Sequence, residues 1–424
     1  MGVNERKVDH LILLVGGNPV PNAVAAKLLA KRGGTISLIY SEGSSSIAEC
    51  LRDWLTKADY VLSQTRPINE AQSSSIMQEI ERVLTNEHNT KHIGLNYTGG
   101  TKAMAVHAFR AVEEWGKSHN IRVDCSYLDA RSLQMVFESP NESSYVGGDV
   151  KFELDDFVKL HGWKLKHEPR KSAIMPATAT AIGNIYAEFS SASDKNPNPY
   201  KAWKEAVLYV VFKKDGRWVS FNKNADTELN WPSDPKLEFV AQALKAELKQ
   251  SEFPMLSVRS ATKTLALDTE DFVKWLDGIW LEHRVLAALS QLPKNLLDLC
   301  TVNDKQQLYQ GVKPNKDNEF DLDAAAIAGF QLFAFSCGTA AGKQAKGELK
   351  LKLFECIIRA RQLGGDQARA ALVCPVDDPD KLQNEVAAQL ETGSQGQSRV
   401  KVFGGKSLAN LETELSTWIQ SQIQ

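Results

Sequence analysis

Short apolar runs alternate with helical patterns from residue 8 to residue 138, and this alternation constrains the fold more than any other feature of the sequence. The runs VDHLILL, TISLIY and HIGLNY are typical of buried strands, and each is followed by helical spacing. Strands that alternate with helices predict a mostly parallel, doubly wound α/β sheet, which binds ligands beyond the carboxyl ends of its strands. We therefore expect the ligand loops of this domain where strands end.

The bulk composition describes a protein without a strong overall charge. The 424 residues suffice for two or three domains, and 50 Lys+Arg against 52 Asp+Glu leave a net charge of −2, which gives no general attraction to nucleic acid. No apolar run is long enough for a membrane span or a signal peptide. The six cysteines have neither disulfide nor zinc-site spacing. We expect a soluble cytoplasmic protein that makes no membrane contact.

The stretch LNYTGGTKAM, residues 95–104, is a candidate anion site. Its two glycines, Gly99 and Gly100, allow a close backbone approach at the start of a helix, where N–H groups point outward. Lys102 falls in the first helical turn, where the helix dipole disfavours a cation unless an anion compensates. The stretch is not a Walker A loop. A capped glycine turn with Lys102 in solvent is the alternative, and the spacing alone leaves both interpretations open.

Two more polar stretches follow predicted strands. VGGNPVPN, residues 15–22, comes after the first strand, and YSEGSSS, residues 40–46, comes after the second. The first stretch lacks the dinucleotide-binding pattern GxGxxG, because prolines occupy the turn. Both are expected beside the anion site, because the carboxyl ends of parallel strands meet at one edge of a sheet.

The composition of the chain indicates three parts. Residues 1–145 form the N-terminal domain, and residues 146–276 form a mixed connecting region with linker-like stretches and a hairpin predicted over Asp215 and Gly216. This connecting region is interpreted as winged-helix-like. Residues 277–424 show the order helix, hairpin, long helix and strand, which predicts a second α/β domain.

The stretch LNYTGGTKAMAVHAF resembles the signature of the CRISPR-associated Rossmann fold (CARF) family, and LVGGNPVPN resembles the other ligand loop of that family. The resemblance covers roughly residues 8–140. It implies a homodimer that binds a cyclic oligoadenylate, made by a type III CRISPR complex, across its twofold axis; cyclic tetra-adenylate is preferred, although the ring size stays open. The implied ligand-binding residues are Gly17, Asn18, Ser41, Thr98, Gly99, Gly100, Thr101 and Lys102.

The C-terminal part resembles the PD-(D/E)xK, or restriction-endonuclease-like, fold, as it is fused to CARF domains in nucleases activated by cyclic oligoadenylate. The order of NEFDLD, a strand and a long helix matches that fold. The resemblance implies a divalent metal, Mg²⁺ or Mn²⁺, held by Glu282 on the first helix and Asp321 in the hairpin. The acidic-x-Lys sequence that completes the family's site is missing, and Ser336-Cys337-Gly338 stands in its place.

Nearby residues offer two ways to compensate for this departure. Ser336 cannot supply the anionic oxygen that Mg²⁺ prefers, and the glycine two residues later offers no cation. Lys350 and Lys352 open the following helix and supply a cation from there. Asp323 lies two residues after Asp321, which is the same face of an extended strand, and would serve as an extra carboxylate. Solvated surface is the alternative for each of these charged side chains.

The sequence thus predicts a cyclic-oligoadenylate-gated, metal-dependent endonuclease that acts on DNA or RNA in type III CRISPR antiviral defence. Its candidate catalytic residues are Glu282, Asp321, Ser336, Lys350 and Lys352. One rival is a ligand-gated sensor whose nuclease-like domain binds a partner without cutting. Another is a ring nuclease that opens the cyclic oligoadenylate in the CARF site, assisted by Lys102 or Thr101. A third is a transcription regulator that uses the connecting region as a winged helix.

Overall fold

The structure is a computed structural model, and it describes fourteen segments of the chain. These are residues 3–87, 90–138, 140–168, 170–189, 213–214, 217–218, 235–247, 269–297, 300–303, 306–310, 319–340, 345–376, 378–390 and 399–423.

The N-terminal domain is built on a seven-stranded sheet in the order β3-β2-β1-β4-β5-β6-β7. Its strands are β1 Val8–Leu14, β2 Ala30–Ile39, β3 Val61–Leu62, β4 His92–Asn96, β5 Arg122–Asp129, β6 Gln134–Glu138 and β7 Asn141–Tyr145. The pairs from β3 to β5 are parallel, and the last two pairs are antiparallel. The predicted mostly parallel sheet is therefore confirmed.

Helices cover both faces of this sheet. They are α1 Val20–Leu29, α2 Ser45–Lys57, α3 Ser73–Thr85 and α4 Lys102–His119. Strand β1 is apolar on both faces, since Leu11 and Leu13 join one buried cluster with α1 and α2, while Ile12 and Leu14 join another with α3 and α4. A strand buried on both sides is what a doubly wound sheet requires.

The sequence pattern NAVAAKLLAKRGG predicts a helix that is closed by its two glycines, and this prediction was wrong in its details. The glycines after the first helix do not close it, because α1 ends at Leu29 and Gly33 and Gly34 lie inside β2. The pairing of β1 with β2 shifts register here, and Gly33 takes a φ of 78°. A Cβ at Gly34 would lie 2.7 Å from the carbonyl oxygen of Asp9, so the glycines serve a strand irregularity.

The connecting region is described only in part. It contributes helices α5 Leu154–Leu160, α6 Pro176–Phe189 and α7 Pro235–Glu247, and strands β8 Trp163–Leu165, β9 Lys213–Lys214 and β10 Arg217–Trp218. Strands β9 and β10 pair antiparallel, which agrees with the hairpin predicted over Asp215 and Gly216, although the two turn residues lie outside the described residues. Most of residues 201–276, the part of this region that carries the hairpin, also lies outside them.

The C-terminal domain is a mixed α/β unit. A five-stranded sheet has the order β11-β14-β15-β16-β17, and β13, β12 and β8 form a three-stranded antiparallel sheet. The strands are β11 Cys300–Asn303, β12 Gln306–Gln310, β13 Glu319–Leu322, β14 Ala324–Ala328, β15 Gln331–Cys337, β16 Arg369–Val373 and β17 Val400–Phe403. The helices are α8 Thr269–Lys274, α9 Trp280–Leu289, α10 Lys294–Leu297, α11 Ala345–Gly364, α12 Pro379–Leu390 and α13 Leu411–Ile423. A π-helical turn, Trp275–Ile279, joins α8 to α9.

The two domains are joined by packing as well as by the chain. Strand β8 comes from the connecting region, yet it pairs with β12 of the C-terminal domain. The backbone N–H of Phe152 donates to the carbonyl oxygen of Gly329 at 3.0 Å. One continuous cluster of buried apolar side chains contains residues of both domains, among them Leu13 and Leu332. Among the described residues, no helix is long and apolar enough to cross a membrane.

Candidate functional site

The candidate anion loop lies between β4 and α4, where the sequence predicted it. Gly100 takes a φ of 77°, and Thr101 caps α4 by accepting a hydrogen bond at its Oγ1 from the backbone N–H of Met104 at 3.2 Å. Lys102 is the first residue of the helix and is exposed. The loop therefore presents a capped helix N-terminus with an exposed cation beside it, which is the local geometry of an anion site.

The paired glycines have a packing reason as well. A Cβ at Gly99 would overlap the carbonyl oxygen of Leu14, and a Cβ at Gly16 would lie 2.8 Å from the backbone nitrogen of Gly100. The loop after β1 and the loop after β4 thus pack backbone against backbone. Only glycine permits this approach, so these residues bring both predicted ligand loops into one place.

Thr98 holds this arrangement from inside. Its Oγ1 donates to Oδ1 of Asn96 at 2.8 Å and accepts from the backbone N–H of Leu128 at 2.6 Å. Both hydrogen bonds are internal, so the Thr98 side chain ties β4 to β5. This residue supports the loop, whereas Gly17 and Lys102 are among the exposed residues at its surface.

Two further predicted ligand residues lie at the same sheet edge. Ser41 is buried, its backbone N–H donates to Oγ of Ser44 at 3.1 Å, and it forms an isolated bridge to Ile68. Asn18 is half-buried, and its Oδ1 accepts from the backbone N–H of Val20 at 3.1 Å. The structure therefore brings the three polar stretches of the sequence together at one rim.

Asn22 is a residue of this site that the sequence analysis treated only as part of a turn. Its Nδ2 donates to the carbonyl oxygen of Leu14 at 2.9 Å, and the side chain is fully buried. Its Oδ1 is a buried acceptor without a hydrogen-bond partner in the described part of the chain. The amide pins the loop after β1 to the strand that precedes it. The flanking prolines, which are typical of turns, concealed this role.

In the C-terminal domain, a second candidate site lies at the carboxyl end of β15. Oδ2 of Asp323 accepts from the backbone N–H of Cys337 at 2.7 Å and from Oγ of Ser336 at 3.3 Å. Nζ of Lys352 on α11 donates to the carbonyl oxygen of Cys337 at 3.1 Å. A carboxylate, a hydroxyl and an ammonium group therefore meet around the position where the acidic-x-Lys sequence is missing.

Glu282 approaches the same place from α9. The preceding turn lies against the end of β15, since a Cβ at Gly278 would lie 3.2 Å from Oγ1 of Thr339. Burial raises the pKa of the Cys337 thiol well above its ordinary value, the carboxylates of Asp323 and Glu282 raise it further, and Lys352 lowers it. Asp323 and Lys352 are hydrogen-bonded to the Cys337 backbone, and Glu282 acts on the same thiol electrostatically from α9.

Helix α9 is fixed by a buried ion pair. Arg284 is fully buried and donates from Nη1 to Oε1 of Glu412 at 2.5 Å and from Nη2 to Oε2 of the same carboxylate at 3.0 Å. This bidentate pair joins α9 to α13 two residues beyond Glu282. The pair holds the helix that carries Glu282 in one orientation.

The other predicted catalytic residues, Asp321 and Lys350, have different neighbours. Asp321 is exposed on β13, where it pairs with Gln307 of β12, and the strand ends at Leu322 before Asp323. Strand alternation therefore does not place the two aspartates on one face. Nζ of Lys350 forms an ion pair with Glu385 at 2.6 Å. Hydrogen bonds from Lys346 and Lys350 lower the pKa of Glu385 to about 2.

The donor set suits a hard divalent cation. Glu282 and Asp323 supply carboxylate oxygens, and the carbonyl oxygen of Cys337 lies in the same cluster. The described residues hold no group of three or more His, Cys, Asp or Glu side chains arranged for a metal ion. Mg²⁺ commonly binds one or two carboxylates and completes its shell with water and substrate phosphates, so this set fits it.

The fold and these two candidate sites define an α/β protein in which a Rossmann-like domain with a candidate anion loop is joined to a nuclease-like domain. Neither a protein-family model nor a curated protein matches the sequence. Among solved structures, the chain is similar to protein VC1899 from Vibrio cholerae, with a TM-score of 0.69 and 15% identity over 97% of this chain and 98% of that one.

Two other similar structures are of proteins that bind or are activated by a cyclic oligoadenylate. Can2 from Sulfobacillus thermosulfidooxidans, in complex with cyclic tetra-adenylate, gives a TM-score of 0.65 at 14% identity over 99% of both chains. A type III CRISPR defence DNA nuclease activated by cyclic oligoadenylate gives 0.51 at 15% identity, over 86% of this chain and 45% of that one. This chain therefore has the fold of these proteins, and the predicted fold class is confirmed.

Proposed function

We propose that this protein is a nuclease of type III CRISPR antiviral defence, switched on by a cyclic oligoadenylate that binds the N-terminal loops. The observation that carries this proposal is that Asp323 and Lys352 both form hydrogen bonds to the Cys337 backbone at the end of β15. It occurs in a chain whose full length has the fold of Can2, a protein solved with cyclic tetra-adenylate.

The ligand site is proposed to form between two copies of the chain. A cyclic tetra-adenylate carries four phosphates, and the exposed Lys102, the helix N-terminus behind it and the open backbone at Gly17 offer one set of anion contacts per subunit. Val106, one turn along α4 from Lys102, exposes 63% of its side chain. An exposed apolar side chain beside the ligand loop is consistent with a homodimer whose twofold axis passes through the ligand.

The nuclease site is proposed to use Asp323 and Glu282 as the carboxylates that hold Mg²⁺ or Mn²⁺. The bound metal would supply Lewis-acid polarisation of the scissile phosphate and an activated water. Lys352 is placed to stabilise negative charge on the phosphate, because its ammonium group already lies at the carbonyl oxygen of Cys337. Ser336 donates to Asp323 and so orients that carboxylate.

In this proposal Asp323 takes the role of metal ligand that the sequence assigned to Asp321. Lys352 supplies the cation, which the sequence assigned to Lys350 or Lys352. Asp321 remains a predicted metal ligand that we rank behind Asp323, because its strand pairs with β12 and its side chain is exposed. Lys350 is ranked behind Lys352 because it forms an ion pair with Glu385. The missing acidic-x-Lys sequence is thereby compensated from a bend after β13 and from α11.

DNA is the proposed substrate, because the third similar structure is described as a DNA nuclease. The cytoplasm is the proposed location, which agrees with the free cysteines of the described chain. The proposal is tested by incubating purified protein with plasmid, single-stranded DNA and RNA, with and without cyclic tetra-adenylate and with Mg²⁺, Mn²⁺ or EDTA. We expect cleavage only when both ligand and metal are present.

The other outcomes of the same assay identify the rivals. Tight ligand binding with every nucleic acid intact would indicate a non-cleaving sensor. Linear products of the cyclic tetra-adenylate that form in EDTA would indicate a ring nuclease. Cleavage that is independent of ligand would contradict the gating.

A further inference from the structure

The loop that follows β1 touches the C-terminal domain through one side chain. Nδ2 of Asn18 donates to Oε1 of Gln367 at 3.3 Å, although the two residues are 349 positions apart in the chain. A Cβ at Gly365 would overlap the Asn18 side-chain amide, so the C-terminal domain meets this loop at a glycine. Asn18 is also one of the predicted ligand-binding residues. The predicted ligand loop is therefore in direct contact with the nuclease-like domain.

Gln367 is held in a dry environment. Its side chain has no solvent exposure, and its Nε2 has no hydrogen-bond partner among the residues that the structure describes. Its carboxamide oxygen, in contrast, is satisfied by Asn18. Loss of that hydrogen bond would leave both polar atoms of a buried amide unpaired, which is unfavourable. The position of Gln367 is therefore sensitive to what Asn18 does.

The contact lies at the end of the helix that carries Lys352. Helix α11 runs from Ala345 to Gly364 and leads directly into the short 3₁₀ turn Gly365–Gln367. Lys352 is twelve residues before Gly364, which corresponds to roughly 18 Å along the helix axis. The helix packs on β15 and β16 through Leu353, Ile357 and other buried side chains, so it shifts as one body.

We infer that Gln367 is a positioning residue of the ligand site, supplied by the nuclease-like domain, and that its bond to Asn18 belongs to the resting state. The phosphate oxygens of a cyclic oligoadenylate are stronger acceptors for Nδ2 of Asn18 than a neutral carboxamide. Ligand binding would take Asn18 from Gln367, release the turn at the end of α11 and change the position of Lys352. This inference rests on the proposed function and specifies its regulation.

Two quantities should respond to loss of the Asn18–Gln367 hydrogen bond, namely the affinity for cyclic tetra-adenylate and the cleavage rate without ligand. A contact that exists only in the resting state weakens ligand binding, and it also restrains activity in the absence of ligand. Removing it with Gln367→Ala should tighten cyclic tetra-adenylate binding by roughly threefold to tenfold, the range of one uncharged hydrogen bond. It should also raise the cleavage rate without ligand. A residue with a purely structural role would lower the melting temperature without tightening ligand binding.

The experiment measures the affinity for cyclic tetra-adenylate by calorimetry and cleavage with and without ligand, on the full chain. Gln362→Ala is the matched control, because Gln362 is an exposed glutamine on the last turn of α11 and its contact is with Arg359. Gly365→Ala is a second test variant, since the added methyl group displaces Asn18 while Gln367 is retained. Both test variants should bind more tightly than the control.

Three results overturn the inference. One is unchanged affinity in both test variants, one is weaker binding in both, and one is tighter binding in the control as well. Wild-type protein that binds the ligand but cleaves no nucleic acid overturns the proposed function alone, because the comparison of affinities is made independently of cleavage. Wild-type protein that does not bind cyclic tetra-adenylate overturns both.

Discussion

The two candidate sites are encoded in different ways. The N-terminal anion loop is contiguous in sequence, and its geometry comes from backbone packing, with Gly99 lying on the carbonyl oxygen of Leu14. The C-terminal cluster is assembled from side chains on three separate elements, Glu282 on α9, Asp323 after β13 and Lys352 on α11. A site formed by close backbone packing tolerates few substitutions of its glycines. In a site formed by side chains, a residue on a different helix or strand can supply the same charge.

This difference explains how the proposed nuclease site would persist without the acidic-x-Lys sequence. The end of β15 keeps its position in the sheet, paired with β16, so groups from neighbouring elements can supply the charges that β15 lacks. Asp323 reaches it from a bend and Lys352 from a helix. The acidic-x-Lys motif is one way to place these charges at the end of the strand, and neighbouring elements of the same sheet offer another.

The largest expected effect concerns the Asp323 carboxylate, whose loss should affect cleavage without affecting ligand binding. Asp323→Asn keeps the shape of the side chain but removes the anionic oxygen that a metal requires, so cleavage should fall by roughly two to three orders of magnitude. Affinity for cyclic tetra-adenylate should stay unchanged. Asp321→Asn is the matched control and should retain most of the activity. A larger loss of cleavage in Asp321→Asn than in Asp323→Asn would indicate that Asp321 is the metal ligand.

The second effect concerns the anion loop. Gly99→Ala should abolish ligand binding and destabilise the protein by roughly 3 kcal/mol, because the methyl group meets the Leu14 carbonyl oxygen. Gly17→Ala introduces the same methyl group where no atom lies within 4 Å, and it should leave stability unchanged. Calorimetry and thermal unfolding measure both quantities. Equal stability of the two variants would show that the loops can separate.

The third effect distinguishes the two lysines of α11. Lys352→Met should lower cleavage by roughly 10²-fold, since it removes the cation at the end of β15. Lys350→Met should change cleavage little, because its partner is Glu385 on α12. Single-turnover cleavage at saturating ligand measures both variants. A larger loss in Lys350→Met would place the catalytic cation on the other face of the helix.

The smallest effect compares buried histidines of the two domains. Burial lowers the pKa of His10 in β1 and of His283 in α9 to about 4. The unfolded chain takes up protons below about pH 6.5, whereas the folded protein does so only near pH 4, so stability should fall as the pH drops through this window. His10→Gln should make the melting temperature less sensitive to acid. An unchanged acid sensitivity would contradict the assignment.

Much of this fold follows from the sequence, and the exceptions have physical reasons. The alternation of strands and helices and the glycine turn between β4 and α4 are local patterns, and the structure confirms both. Gly33 and Gly34 were assigned to a helix end because glycine is common there, but the pairing of β2 with β1 uses them inside a strand. The pairing between strands therefore determines the structure at these glycines, and the local preference of glycine for helix ends does not.

The side-chain site was harder to predict for a related reason. Asp323 was placed on the face of Asp321 by strand alternation, yet the strand ends at Leu322 and the bend turns Asp323 toward Cys337. The choice between Lys350 and Lys352 depends on which face of α11 meets β15. Two residues that are two positions apart on an α-helix point about 200° apart around its axis, so they lie on different faces. Only the packing of α11 shows which of the two lysines faces β15.

The central claim is that ligand at one site controls chemistry at the other. The most direct measurement is the cleavage rate of Lys102→Ala as cyclic tetra-adenylate is titrated. Lys102 lies in the anion loop and far along the chain from the cluster, so the concentration for half-maximal cleavage should rise by roughly tenfold or more, the contribution of a charge-assisted contact. The rate at saturation should equal that of the wild type. A lower saturating rate with an unchanged half-maximal concentration would contradict the account.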